Sequence, residues 1–117
     1  MTNNIFVFGS NLAGRHGRGS ALEAVKNHGA IYGIGFGLQG QSYGIPTKDK
    51  NLQILPLETI KWHVEVFEIF ALNHTQFTFK VVAIGCGLAG YNPAFIRPLF
   101  QLRPANVKLP KEFMWHP

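Results

Sequence analysis

Two clusters of glycine carry the chemistry this chain can offer. The first is Gly14-Arg15-His16-Gly17-Arg18-Gly19 and the second is Gly85-Cys86-Gly87-Leu88-Ala89-Gly90. Residues without a Cβ let an anion come close to backbone N–H groups. A helix that starts beside such a loop adds unpaired N–H donors and a partial positive charge. Of the 13 glycines, ten fall between Gly9 and Gly44, and the other three are Gly85, Gly87 and Gly90. The spacing excludes a Walker loop, because no Gly-Lys-Ser/Thr follows, and it does not match the dinucleotide fingerprint.

The side chains near these clusters set the remaining expectations. Arg15 and Arg18 are suited to phosphate. His16 is a candidate acid–base group, and Asp49, the only aspartate, is a candidate general base. Asn11 either meets a ligand or bonds its own turn, as asparagine often does. The candidate ligand-binding set around the first cluster is Gly9, Ser10, Asn11, Leu12, Ala13, Gly14, Arg15, His16, Gly17, Arg18, Gly19 and Ser20. Gln41 joins it as a neutral hydrogen-bonding residue, with Gln39, Ser42, Thr47 and Lys48 as further polar neighbours. The second cluster contributes Gly85, Cys86, Gly87, Leu88, Ala89, Gly90 and Tyr91. Cys86 reads either as an activated thiol or, with more weight, as a small packing residue. Tyr91 reads either as a stacking ring or as a core aromatic. His28, His63 and His74 lack metal-ligand spacing, so no metal or cofactor is expected.

Strands and helices must hold these loops in place. Residues 5–8 and 79–84 are short apolar runs, each stopped by a glycine, as buried strands of a sheet would be. A helix is predicted over 20–28, with Leu22 and Val25 inward and Gly29 at its end. Short strands are predicted at 30–32 and 42–45, with Pro46 ending the second. Leu57, Ile60, Val64, Phe67 and Ala71 recur at helical spacing over 57–73, where Trp62, Phe67 and Phe70 are expected in the core. A short helix at 93–100 and a strand at 107–109 complete an alternating α/β chain. Both glycine loops follow strands, so parallel neighbours would bring them to one sheet edge.

Composition fits one globular domain over residues 1–117: 46% of residues are hydrophobic, 15% are charged, and disorder would need the reverse. The single Cys86 rules out an internal disulfide. No apolar run reaches the ~20 residues of a membrane span, and the chain start lacks the pattern of a signal peptide. A reducing, cytoplasmic compartment is expected. The net charge of +5 suits an anionic partner, but its basic residues are scattered, which disfavours a polymeric nucleic acid. The apolar end Phe113-Met114-Trp115-His116-Pro117 is expected to pack on the body or on another copy in a homo-oligomer.

Three stretches carry a family resemblance. They are Phe-Gly-Ser-Asn-Leu-Ala-Gly-Arg-His-Gly from Phe8, Leu-Gln-Gly-Gln-Ser-Tyr-Gly-Ile-Pro-Thr-Lys-Asp from Leu38, and Ile-Gly-Cys-Gly-Leu-Ala-Gly-Tyr from Ile84. Over nearly its full length the chain resembles a compact family of phage and prophage non-structural proteins. Its loops and element order also resemble macro domains. The resemblance implies a minimal macro-domain-like α/β fold with a mixed sheet flanked by helices. It implies an ADP-ribose-like nucleotide as partner, phosphates between the two glycine loops, and Asn11 on a ribose. It also implies a location in the host cytoplasm and a sponge for a defence signalling nucleotide. Hydrolysis of ADP-ribosyl or phosphoribosyl bonds is the alternative, with Asn11, His16 or Asp49 orienting water, and a protein–protein inhibitor is the third. The chain departs from the macro-domain pattern in two places. Asn3 and Asn4 stand where an acidic residue commonly precedes the first strand, and Arg15-His16 interrupts the glycines of the first loop.

Overall fold

The computed structural model describes residues 3–114. Its centre is the strand β1 (Asn4–Asn11) of a mixed five-stranded sheet. The other strands are β2 (Gly37–Gln39), β3 (Ser42–Lys48), β4 (Thr78–Val81) and β5 (Val107–Lys108), in the order β2-β3-β1-β4-β5. All neighbours run parallel except β2 and β3. Three helices complete the fold: α1 (Gly19–Asn27), α2 (Leu57–Leu72) and α3 (Pro93–Ile96), the last continuing as a 3-10 turn over Arg97–Leu99. No described helix is long and apolar enough to cross a membrane.

Alternation along β1 splits the interior in two. Ile5 and Val7 join the larger core with Tyr43, Ile45 and Phe79, against Ile60, Val64, Phe67 and Ala71 of α2. The spacing 60, 64, 67, 71 keeps one helical stripe on the sheet. Phe113 is also buried in this core and meets Phe100, whereas Met114 is exposed and residues 115–117 lie outside the described residues. Burial among these rings pushes the Tyr43 hydroxyl up to about 12. On the other face Phe8 forms a smaller apolar cluster with Ala21, Ala24 and Ala30, with Phe6 and Val25 at the margin.

Several elements differ from the sequence reading. Helix α1 turns Ala21 and Ala24 inward, while Leu22 and Val25 are half-buried, because small side chains let the helix sit close to Phe8. Residues 30–32 form no strand: Ala30 N donates to Ala24 O and Gly33 N to Gly14 O, so the segment turns back onto the first loop. Strand β1 runs past Gly9, because its ladder with β3 continues to Ser10 opposite Pro46 and Asn11 opposite Lys48. Pro46 sits inside β3, in the gap between the pairing with β2, which ends at Gly44, and the bond that Leu55 N donates to Thr47 O. Strand β4 stops at Val81, ahead of the predicted residue 84. Trp62 is 56% exposed and lies outside the core.

Candidate functional site

From β1 the chain crosses through α1 towards β3, and from β4 it leaves towards β5 on the other side. The carboxyl ends of β1 and β4 therefore flank a topological switch point, where open α/β sheets hold ligands. A cleft of about 400 Å³ opens there. Its walls bring together Gly9, Ser10 and Asn11 from β1, Arg18, Gly19 and Ser20 at the start of α1, and Gly85, Gly87, Leu88 and Ala89 from the second loop. Thr47 and Lys48 close the side formed by β3. Val82, Ala83, Ile84 and Ala21 also line it and were not among the predicted site residues. The signal that could have found the first three is their place between a strand end and a glycine loop.

The first turn of α1 supplies the clearest donors. Its first helical bond runs from Leu22 N to Arg18 O, so the N–H groups of Gly19, Ser20 and Ala21 have no helical acceptor. Arg18 occupies the N-cap position, and no side chain caps the helix. The first turn holds no acidic residue. The charged groups lining the cleft are Arg18 and Lys48, both positive, and no carboxylate lines it among the described residues. Electrostatics and donors thus agree on an anion.

Residues 12–17 of the first loop stay out of the cleft walls, and Asn11, which is in them, has its amide engaged. Asn11 Nδ2 donates to Arg15 O and its Oδ1 accepts from Arg15 N, each at 2.9 Å, so the amide latches its own turn. His16 is 1% exposed. Its Nε2 lies 2.8 Å from Ile34 O and donates to it, which leaves Nδ1 buried without a partner. The imidazole packs edge-on against Phe8 and Tyr32 rather than facing the cleft. Leu12, Ala13, Gly14, Arg15 and Gly17 are not in its walls. Gly14 is needed for packing: a Cβ there would stand 2.2 Å from Gly33 C, and at Gly35 it would stand 1.9 Å from Asn11 O. Ser10 Oγ donates to Gly35 O and fastens the same contact.

Three other predicted residues are also occupied elsewhere. Asp49 Oδ1 accepts from Asn51 N and Gln53 N, holding the turn after β3. Tyr91 donates its hydroxyl to Leu55 O at 2.8 Å and packs on the larger core. Gln41 precedes β3 and lies at its amino end, opposite the cleft. Cys86 also packs on the larger core, and neither it nor Gly90 lines the cleft. Burial, and then the carboxylate of Glu112, push the Cys86 thiol up, away from a reactive thiolate. No group of three or more possible metal-ligating side chains occurs among the described residues.

Gly87 differs from Gly14 and Gly35. It has no left-handed φ, and nothing lies within 4 Å of where its Cβ would stand. Chain geometry therefore does not demand glycine there, and the missing side chain leaves the cleft wall open at that point. Comparison with protein-family models, with curated proteins and with solved structures finds no match for this chain.

Proposed function

We propose that the cleft binds an ADP-ribose-like nucleotide by its phosphates. The observation that carries this reading is the convergence of both glycine loops, the uncapped start of α1, Arg18 and Lys48 on one cleft at the switch point. Backbone N–H groups of Gly19, Ser20 and Ala21 hold one side of the pyrophosphate, and the second loop covers the other. The order of elements and the two strand-terminal loops support a macro-domain-like reading of the α/β fold.

Binding without turnover is the better-supported reading. The two side chains best suited to acid–base work, His16 and Asp49, are engaged away from the cleft. A protein that sequesters a signalling nucleotide needs tight holding and slow release rather than a general base. This fits a phage protein that removes a host-defence signal.

Calorimetry with ADP-ribose, cyclic ADP-ribose isomers and NAD tests the reading, followed by chromatography of the recovered ligand. Saturable binding with the ligand returned intact is expected. Conversion to a new product replaces the sponge with a hydrolase, and absence of heat with all of them overturns the nucleotide reading.

A further inference from the structure

We infer that β2 and the outer side of α2 form the contact between two copies of this chain. Five large apolar residues, Ile34, Phe36, Leu38, Trp62 and Ile69, are each 42–56% exposed and line the two hollows on either side of Phe36. They belong to one region, the loop before β2, β2 itself and the adjacent helix. The Phe36 ring lies 6.1 Å from the His63 ring, the Trp62 ring lies 5.0 Å from it, and all three line one hollow. Monomeric proteins rarely leave apolar patches of this extent uncovered.

Size, charge and shape select a second copy as the occupant. At ~150–250 Å² for a large side chain, these five half-exposed residues together offer on the order of 500 Å², the greater part of the ~800 Å² per partner of a standard interface. The stretch from Ile31 to Leu38 holds no charged residue. On α2 the charges beside Trp62 and Ile69 are Lys61 and Glu65, of opposite sign, so two chains of net charge +5 can meet there without a surplus of like charge across the contact, whereas an acidic partner would be drawn to lysines and arginines elsewhere. A two-fold contact requires one surface that holds both knob and hole. Phe36 stands between two hollows of about 440 and 420 Å³ and walls both of them. Turned about a two-fold axis, the Phe36 of each copy enters a hollow of the other. Strand β2 is at the edge of the sheet, so its outer N–H and C=O groups are open to antiparallel pairing with the same strand of the partner. No residue of this patch lines the phosphate cleft, so the dimer leaves both clefts open.

Sedimentation velocity on the full chain, from micromolar to near-millimolar concentration, decides the matter. The wild type is expected to approach twice the mass of the chain. Phe36→Asp and, separately, Trp62→Glu are expected to weaken the dimer about tenfold or more. Phe95→Asp, at an equally exposed ring elsewhere, is expected to leave it unchanged. Circular dichroism checks each variant; if Phe36→Asp fails to fold, Trp62→Glu decides, because that side chain is already more than half in solvent. A monomer at every concentration overturns the inference and leaves the patch to a different partner. A dimer indifferent to both substitutions, or one broken by Phe95→Asp, overturns it as well.

Discussion

The two glycine loops look alike in sequence and are held differently. The first is bound to the body along most of its length. Gly14 lies under Gly33, Gly35 touches Asn11, Asn11 latches Arg15, and His16 is sunk beneath Ile34. The second is held by Gly90 N donating to Gly87 O and Tyr91 N to Gly85 O, while Gly87 and Leu88 are exposed. Glycine thus has two uses here. In the first loop it lets two backbones touch, and in the second it leaves a wall open. The first loop leads into the start of α1 at the cleft, and Gly87 and Leu88 of the second line the facing wall.

The difference can be broken most strongly at Gly35. Its added Cβ would overlap Asn11 O, which is backbone and cannot step aside. Gly35→Ala is expected to cost about 3 kcal/mol or more by overpacking, read as a lower urea midpoint with an unchanged slope. A stability within ~0.5 kcal/mol of wild type, the range of an ordinary surface change, would mean that the two loops are not held differently. Gly87→Val tests the other loop and should behave in the opposite way. Stability should stay within ~0.5 kcal/mol, because nothing stands near the new side chain. Calorimetry should then show nucleotide affinity about tenfold or more weaker, equal to ~1.4 kcal/mol. Retained affinity would show that the second loop does not wall the ligand.

A smaller effect is expected from the latch. Asn11→Ala removes two hydrogen bonds to Arg15 and should cost about 1–2 kcal/mol. Hydrogen exchange should rise at the Arg15 amide and stay the same at Gly90; equal rises at both would remove the contrast. The mildest test is pH. Burial lowers the His63 pKa below its ordinary 6.5, and this ring packs against Phe36 and Trp62 beside the first loop's Leu12. The unfolded chain therefore binds a proton more readily than the folded one. Stability is full above the unfolded value and falls as pH drops through 6.5 towards the lower folded value. His63→Leu should flatten that part of the urea-midpoint profile, and an unchanged profile would remove His63 from the account.

Much of this molecule was legible before any tertiary structure. The stripe 60, 64, 67, 71 predicted α2 to within one residue, and the apolar runs at 5–8 and 79–84 marked the two central strands. The placing of both glycine loops after those strands also followed, because hydrophobic periodicity and glycine punctuation are local properties of the chain. What those loops do with their side chains was not legible. His16 meets Ile34 eighteen residues on, Ser10 meets Gly35 twenty-five residues on, and Tyr91 meets Leu55 thirty-six residues back. Sequence alone determined an α/β chain with two glycine-rich turns and the charge for an anion. Only tertiary structure decided that Gly14 and Gly35 serve packing while Gly87 stands open, and that the side chains of His16 and Asp49 bond to backbone away from the cleft. The physical reason is that a helix or strand is fixed by neighbours a few residues away, whereas a loop side chain takes its role from whatever distant backbone folds against it.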